Sequence, residues 1–332
     1  MGWSYFPIGI VCPVISEEPN FAKVLAFVVF IALGWGLRRF NILKPEAFHA
    51  ISALVMCVTL PCVTMTGLNG FKLSADYAVI AAIGFLANVL FLIIAIFLTL
   101  GTKNIEERDF RRLNLTGFSV GPFAIPYVQA FLSPASLLTA LVFDLGNAFM
   151  AAGGTYAAIS GMREKTSPAK MIGVVFKKLA TSGPIIAFVF MLILCLLSLK
   201  LPDAVITCTR IDAAANTFLC MVMIGEALNL SLTFREFLNL LKILAMRFVL
   251  QALLAFALFE FLPFDLEVRR ALVLVCFAPV PAMNLIYTNL IQRAVKPRHS
   301  WRGYKAHRSN MDYFHRSRNA LLFTIMQCKS AI

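Results

Sequence analysis

Hydrophobic residues in this chain come in long, nearly unbroken runs separated by short polar stretches, not in the alternating or one-sided patterns of water-facing strands and helices. A helix needs roughly 20 apolar residues to cross the hydrocarbon core of a bilayer. Runs of about that length lie near 21–38, 47–66, 76–100, 113–132, 135–160, 182–199, 211–229, 237–260 and 268–290. The pattern predicts an all-α polytopic membrane protein with nine spans. Only Ser133 and Pro134 separate the fourth span from the fifth, which predicts a tight helical hairpin.

Spans six to nine begin 161, 164, 161 and 155 residues after spans one to four. This spacing predicts two copies of a five-span unit, at 21–160 and 182–290, joined by a basic linker at 161–181. Five is an odd number, so the second copy would enter the membrane from the opposite side, giving the inverted repeat common in transporters. Residues 1–20 form an N-terminal segment and residues 291–332 a tail.

Spans four and nine are interrupted at matching places. The fourth reads Asn114-Leu-Thr-Gly117-Phe-Ser-Val-Gly121-Pro122-Phe-Ala-Ile-Pro126, and the ninth reads Cys276-Phe-Ala-Pro279-Val-Pro281-Ala-Met-Asn284. Each proline removes a backbone donor and clashes with the preceding turn. The freed backbone groups cannot be satisfied by lipid, so such breaks are expected where the backbone lines a cavity. At an offset of 157, set by Pro122 and Pro279, the counterpart of span five would cover 292–317, yet that window holds seven Lys/Arg. A tenth span is therefore missing from the pattern, as a divergent or truncated C-terminus would leave it.

Composition agrees with the runs. The chain is 60% hydrophobic and 14% charged, with 30 Phe among its 332 residues and a mean hydropathy of +0.81. Soluble domains average roughly 45–50% apolar and about 25% charged. The net charge of +13 suggests nucleic acid until it is mapped: residues 292–332 carry nine Lys/Arg against one Asp, leaving +5 for the rest. No basic stripe or nucleic-acid module accompanies it, so nucleic acid is not an expected partner. Counting Lys/Arg on alternate sides gives 23 against six, or 14 against six without the tail. By the positive-inside rule this predicts an N-terminus outside and a cytoplasmic 161–181. The first 20 residues lack Lys and Arg, so they lack the basic start of a signal peptide. The eight cysteines form no CxxC pair, and the three histidines of the tail match no metal-site spacing.

Charges inside spans narrow the chemistry. Asp144, in span five, would cost about 2.5–3.5 kcal/mol facing lipid and so should face the interior. There it could carry a proton, ligate a cation or pair with a base. Asn147, three residues on, shares its face. Glu226 in span seven and Arg247 in span eight are the other mid-span charges; a Glu226–Arg247 or Asp144–Arg247 pair is expected, and Arg247 could also face a transported anion. Asn114, Gln129 and Asn284 are neutral hydrogen-bonding groups near the two breaks. Gly153-Gly154 is expected to allow close packing, and the glycosylation patterns at Asn114 and Asn229 fall on the cytoplasmic side, where they are not used.

Taken in order, Gly34-Trp-Gly36-Leu-Arg38-Arg39, the run Ala53 to Pro61, Gly121-Pro-Phe-Ala-Ile-Pro126, Phe143-Asp144-Leu-Gly-Asn147 and Ala278-Pro279-Val-Pro281-Ala-Met-Asn284 resemble the auxin efflux carrier family, including bacterial malonate-type permeases. The resemblance covers roughly residues 20–290. It implies a fold like that of bile-acid/sodium symporters, with crossed broken helices four and nine, a panel of spans one, two, six and seven, and a core of the others. It further implies movement of small organic anions by an elevator-like displacement of that core, in a bacterial plasma membrane. Pro61 resembles the family's Leu-Pro position.

The candidate substrate-binding residues are thus Asn114, Gly121, Pro122, Pro126, Gln129, Asn147, Pro279, Pro281 and Asn284, and the candidate ion-coupling or ion-pairing residues are Asp144, Glu226 and Arg247. Coupling to protons or sodium is open, and no cofactor is expected. The bilayer and a small organic anion are the expected partners, with a second copy of the chain an open option. Enzymes fare worse: an intramembrane aspartyl protease needs two facing aspartates, and there is neither an HExxH motif nor a Walker-type loop. The rival to a transporter is a non-transporting product, either a truncated carrier or a receptor-like membrane protein.

Overall fold

The computed structural model describes residues 20–44, 47–71, 74–164, 168–228 and 234–281, together with 283, 284, 287 and 288. The expected N-terminal segment, the basic tail and Asn229 lie outside the described residues. Among those described, the chain is all helical, with no strand. In chain order the helices are α1 (Asn20–Arg39), α2 (Ala47–Leu54), α3 (Leu60–Leu68), α4 (Ala75–Leu98), α5 (Ile105–Leu115), α6 (Ile125–Phe131), α7 (Pro134–Phe149), α8 (Thr155–Glu164), α9 (Pro168–Ala180), α10 (Gly183–Leu196), α11 (Asp203–Ala227), α12 (Phe234–Phe261) and α13 (Leu266–Cys276).

Five continuous helical stretches are long and apolar enough to cross a membrane: Ala47–Leu68, Ala75–Leu98, Pro134–Arg163, Asp203–Ala227 and Leu240–Phe261. Their outward faces carry stripes of exposed hydrocarbon, such as Leu86, Leu90, Ile93 and Phe97 on α4 and Val249, Leu253 and Phe256 on α12. Surfaces of this kind are compatible with an integral membrane protein. The count falls below nine for a physical reason. Among the described residues, the fourth and ninth expected runs are broken into short pieces at their Gly and Pro residues, the sixth keeps only the 14-residue helix α10, and the first forms the 20-residue α1, which carries Lys23, Arg38 and Arg39 and is not one of the five.

Local sequence explains the ends. Asn104 caps α5 by accepting from Glu106 N at 3.0 Å and Glu107 N at 3.4 Å, and those two glutamates favour the positive end of the helix. Ser133 caps α7 through Ser136 N at 3.3 Å, with Pro134 in the first turn, so the expected hairpin is formed in two residues. Two of the three π-helical turns, Val55–Thr59 and Val120–Ala124, end two residues before a proline, ahead of Leu60-Pro61 and Ile125-Pro126. There the amides of Leu60 and Ile125 reach back five residues, to Val55 and Val120, which absorbs the register change that each proline imposes. The third, Met150–Gly154, holds Gly153 at φ 140°, which breaks the helix, and the expected close packing is there as well, since a β-carbon on Gly153 would stand 3.0 Å from the Tyr287 hydroxyl and 3.4 Å from Val175.

Packing divides the helices into two groups. α1 lies along α11, which also packs on α3, and α10 runs beside α3. In the second group α4 lies along α7, α13 packs on α7 and α12, and α5 touches α4 and α12. Glycines set the closest contacts: a β-carbon on Gly34 or Gly225 would overlap a carbonyl oxygen of the facing helix in the α1–α11 pair, and one on Gly84 or Gly146 would do the same between α4 and α7. The expected linker 161–181 is mostly helical. Val175 and Leu179, one turn apart in α9, turn inward, a spacing hidden in the sequence by the surrounding lysines.

Candidate functional site

A cavity of about 390 Å³ opens between the two groups. Ser52, Met56, Leu60, Ile185 and Met223 line it from the first, and the segment Phe118–Pro122, Asp144, Asn147, Ala151, Ala152 and Pro281 from the second. Its volume falls in the range of small-molecule sites, about 300–1,000 Å³. All three π-helical turns contribute to its wall, through Met56, through Val120 to Pro122, and through Ala151 and Ala152. The wall thus forms where the helices depart from regular geometry, a usual signature of functional positions.

The two breaks meet at this wall. Ser119 N donates to Pro279 O at 2.7 Å, and Gly117, at φ 86°, leaves no room for a β-carbon beside Pro281. The carbonyls released there converge on Arg247. Its guanidinium donates to Leu115 O at 3.0 Å, to Gly117 O and to Ala278 O at 3.2 Å, and it lies 5.6 Å from the centre of the Phe118 ring. Gln251 Nε2 adds a second bond to Ala278 O at 2.9 Å. The C-terminal ends of α5 and α13 each present roughly half a negative charge, so two of them balance one cation. Neither expected ion pair of Arg247 forms; the bonds it makes go to the backbone, and its Nε has no partner among the described residues. Glu226 pairs with Arg38 instead, at 3.2 Å, and Arg38 also caps the end of α11 through Glu226 O at 2.7 Å.

Asn147 has every hydrogen-bonding site occupied. Its amide exchanges two bonds with the peptide of Phe118, Nδ2 to Phe118 O at 2.8 Å and Phe118 N to Oδ1 at 3.2 Å. Nδ2 also donates to Asp144 Oδ1 at 2.9 Å, and Asn88 Nδ2 donates to Oδ1 at 3.1 Å. It lines the cavity but has no bond to offer a solute, so it positions Asp144 and the broken segment. Asp144 Oδ2 has no protein hydrogen bond among the described residues, and its side chain lines the cavity; Gly121 lets Leu60 pack against the broken segment, since a β-carbon there would stand 2.7 Å from Leu60 Cδ2 and 3.5 Å from Asp144 Oδ2.

The remaining candidates divide. Gly121, Pro122, Asp144, Asn147 and Pro281 line the cavity; Asn114, Pro126, Gln129, Pro279 and Asn284 do not. Asn284 Nδ2 donates to Leu113 O at 2.8 Å and ties the ninth segment to α5. Asn114 is fully buried and donates to Phe110 O at 2.9 Å, which also closes it to glycosylation. Pro126 starts α6 and Pro279 is the acceptor at the crossing.

Away from the 179–182 end of the cavity, α6 is joined to the first group. Asn216 Nδ2 donates to Gln129 Oε1 at 3.4 Å, Thr59 Oγ1 donates to Asn216 Oδ1 at 2.9 Å, and Lys23 Nζ donates to Ala130 O at 2.8 Å. Asn216, Thr59 and Asn88 were not singled out in the sequence. A fully buried Asn in an apolar run is the available signal, because its amide must find partners in another helix.

The fold and site define, among the described residues, an all-helical protein with five helices long and apolar enough to cross a membrane and a cavity between two helix groups. No family model matches the chain, and none of the curated proteins matches it.

Proposed function

We propose that the chain is a secondary transporter of small organic carboxylates, with the solute held in the cavity where the two broken segments meet. The observation that carries this reading is the cavity itself: it separates two helix groups that touch each other lightly, and its wall is built from unwound backbone around one half-buried carboxyl group, Asp144. Alternating access of the elevator kind follows if the group containing α4–α7, α12 and α13 moves against the group containing α1–α3, α10 and α11. The resemblance to organic-anion carriers supplies the solute class, and the inverted-repeat fold belongs to the same proposal. So does an N-terminus outside, which would make the end at 179–182 cytoplasmic. A second reading is favoured by one fact: Asp144 is the only charged side chain among the lining residues, as an organic cation would require.

Counterflow in vesicles tests both. The full chain is reconstituted in vesicles preloaded with unlabelled malonate, benzoate or tetraethylammonium, and entry of the labelled species is followed. Overshoot with malonate or benzoate is expected, while Asp144→Asn retains counterflow and loses uptake driven by a pH gradient. Overshoot with tetraethylammonium alone would move the solute to the cation class, and entry no faster than in empty vesicles with all three would remove the transport reading.

A further inference from the structure

Resting on the transport reading, we infer that Asp144 carries one proton through the cavity with the substrate, in the place where a coupled sodium ion would otherwise be held. Three observations carry it. The first is the isolation of the carboxyl. The residues lining the main cavity and the smaller apolar pocket that shares Asp144 include no other charged side chain.

Among the described side chains, the charged groups on α7's neighbours and on the helices beyond them are engaged or exposed elsewhere. Asp76 of α4 meets Ser74, Glu267 of α13 meets Ser133, Arg269 meets Phe259 O, and Arg270 and Lys177 are exposed. Cys62 of α3 meets Asp212 of α11, Glu226 of α11 meets Arg38, and Arg247 is committed to three carbonyls. A carboxylic solute entering this cavity therefore meets a second carboxylate with no cation to offset it. Two carboxyl groups at such a distance hold one proton between them and do not both ionise.

The second observation is the orientation of Asn147. A sodium ion is held by several oxygens, but Asn147 turns its NH2 toward Asp144. The two bonds to the Phe118 peptide and the bond from Asn88 fix that orientation, so its oxygen cannot join a cation shell at Asp144. A hydrogen bond from Asn147 to Oδ1 still leaves Oδ2 to take and release a proton. The third is access: Asp144 is only part-buried and lines the cavity, so its carboxyl can exchange a proton with water or a solute held there.

The step is a proton transfer only. Oδ2 takes a proton from water in the cavity, shares it with a carboxylate oxygen of the solute, and releases it to water on the other side.

Infrared difference spectra of the purified full chain in liposomes, taken between mildly alkaline and mildly acidic pH in sodium-free buffer, test this without substrate or flux. A protonated-carboxyl band should grow as pH falls, shift in deuterated water, disappear in Asp144→Asn and move in Asp144→Glu. The same band should be unchanged by added sodium. Asp144→Glu keeps the test alive if the asparagine variant does not fold. If native and variant spectra coincide, or if sodium removes the band at fixed pH, the proton assignment falls. A titrating, sodium-insensitive band together with failed counterflow would remove the transport reading and leave the proton site intact.

Discussion

Arg247 is fully buried and has no carboxylate partner, an arrangement that would be prohibitive in hydrocarbon without compensation. The compensation is the backbone. Prolines and glycines at the two breaks leave carbonyls that lipid cannot bond, and one guanidinium with donors on several edges reaches three of them. Arg247→Leu would strand the carbonyls of Leu115 and Gly117 at about 1–3 kcal/mol each, while that of Ala278 keeps its bond from Gln251. Its expected effect is a loss of about 3 kcal/mol or more, read as a lower melting temperature and poor recovery of monodisperse protein. Arg247→Lys, with a single point of donation, should fall between. A leucine variant that melts with the native protein would contradict this role. The residue was legible as a buried charge but not as a backbone clamp, because its partners are main-chain carbonyls, two of them 130 and 132 residues away and the third 31, that carry no side-chain signature. Asp144 and Asn147 were legible as a pair because three residues apart on a helix means one face; that Asn147 is saturated required knowing where Phe118 lies.

At the level of elements, the interruptions were readable and their consequences only partly so. Pro122, Pro126, Pro279 and Pro281 announce the breaks, since proline cannot donate to the preceding turn. The π-helical turns before Pro61 and Pro126 show how the adjoining helix absorbs that loss, and no periodicity in the sequence encodes a change of one residue in register. The helices in the central linker were hidden because lysines dominate its composition, although Val175 and Leu179 hold the spacing of a buried face. Glycine contacts offer a sharp test at this scale. Gly146→Leu would drive a side chain into the Ala81 carbonyl, and overpacking of this kind costs about 1–3 kcal/mol or more. Gly36 has nothing within 4 Å of a would-be β-carbon. Gly36→Ala is therefore expected to match or slightly exceed native stability, and equal melting of the two variants would contradict the packing account.

For the whole molecule, the division into two helix groups matters more than the number of spans. Among the described residues, the nine runs counted along the chain become five long apolar helices plus other pieces, because two runs are broken where they meet, another keeps a shorter helix, and the first, α1, carries three basic residues at its ends. The cavity is open to the residues at 179–182, while Asn216 to Gln129 and Lys23 to Ala130 hold α6 against α11 and α1 on the other side. Seven residues of α11, about two turns, separate Asn216 from Met223 in the cavity wall. On the transport reading, these two contacts would act as the latch of one state.

The most direct test of alternating access is two-sided labelling of a cysteine placed in the cavity. Ala148→Cys, in a chain whose eight native cysteines are replaced, is exposed to an impermeant maleimide in sealed vesicles of each orientation. Reaction should come mainly from the side of 161–181 in this form, and it should become strong from the opposite side when Lys23→Ala and Asn216→Leu remove the latch. Reaction from one side alone in both forms would contradict alternating access through this cavity.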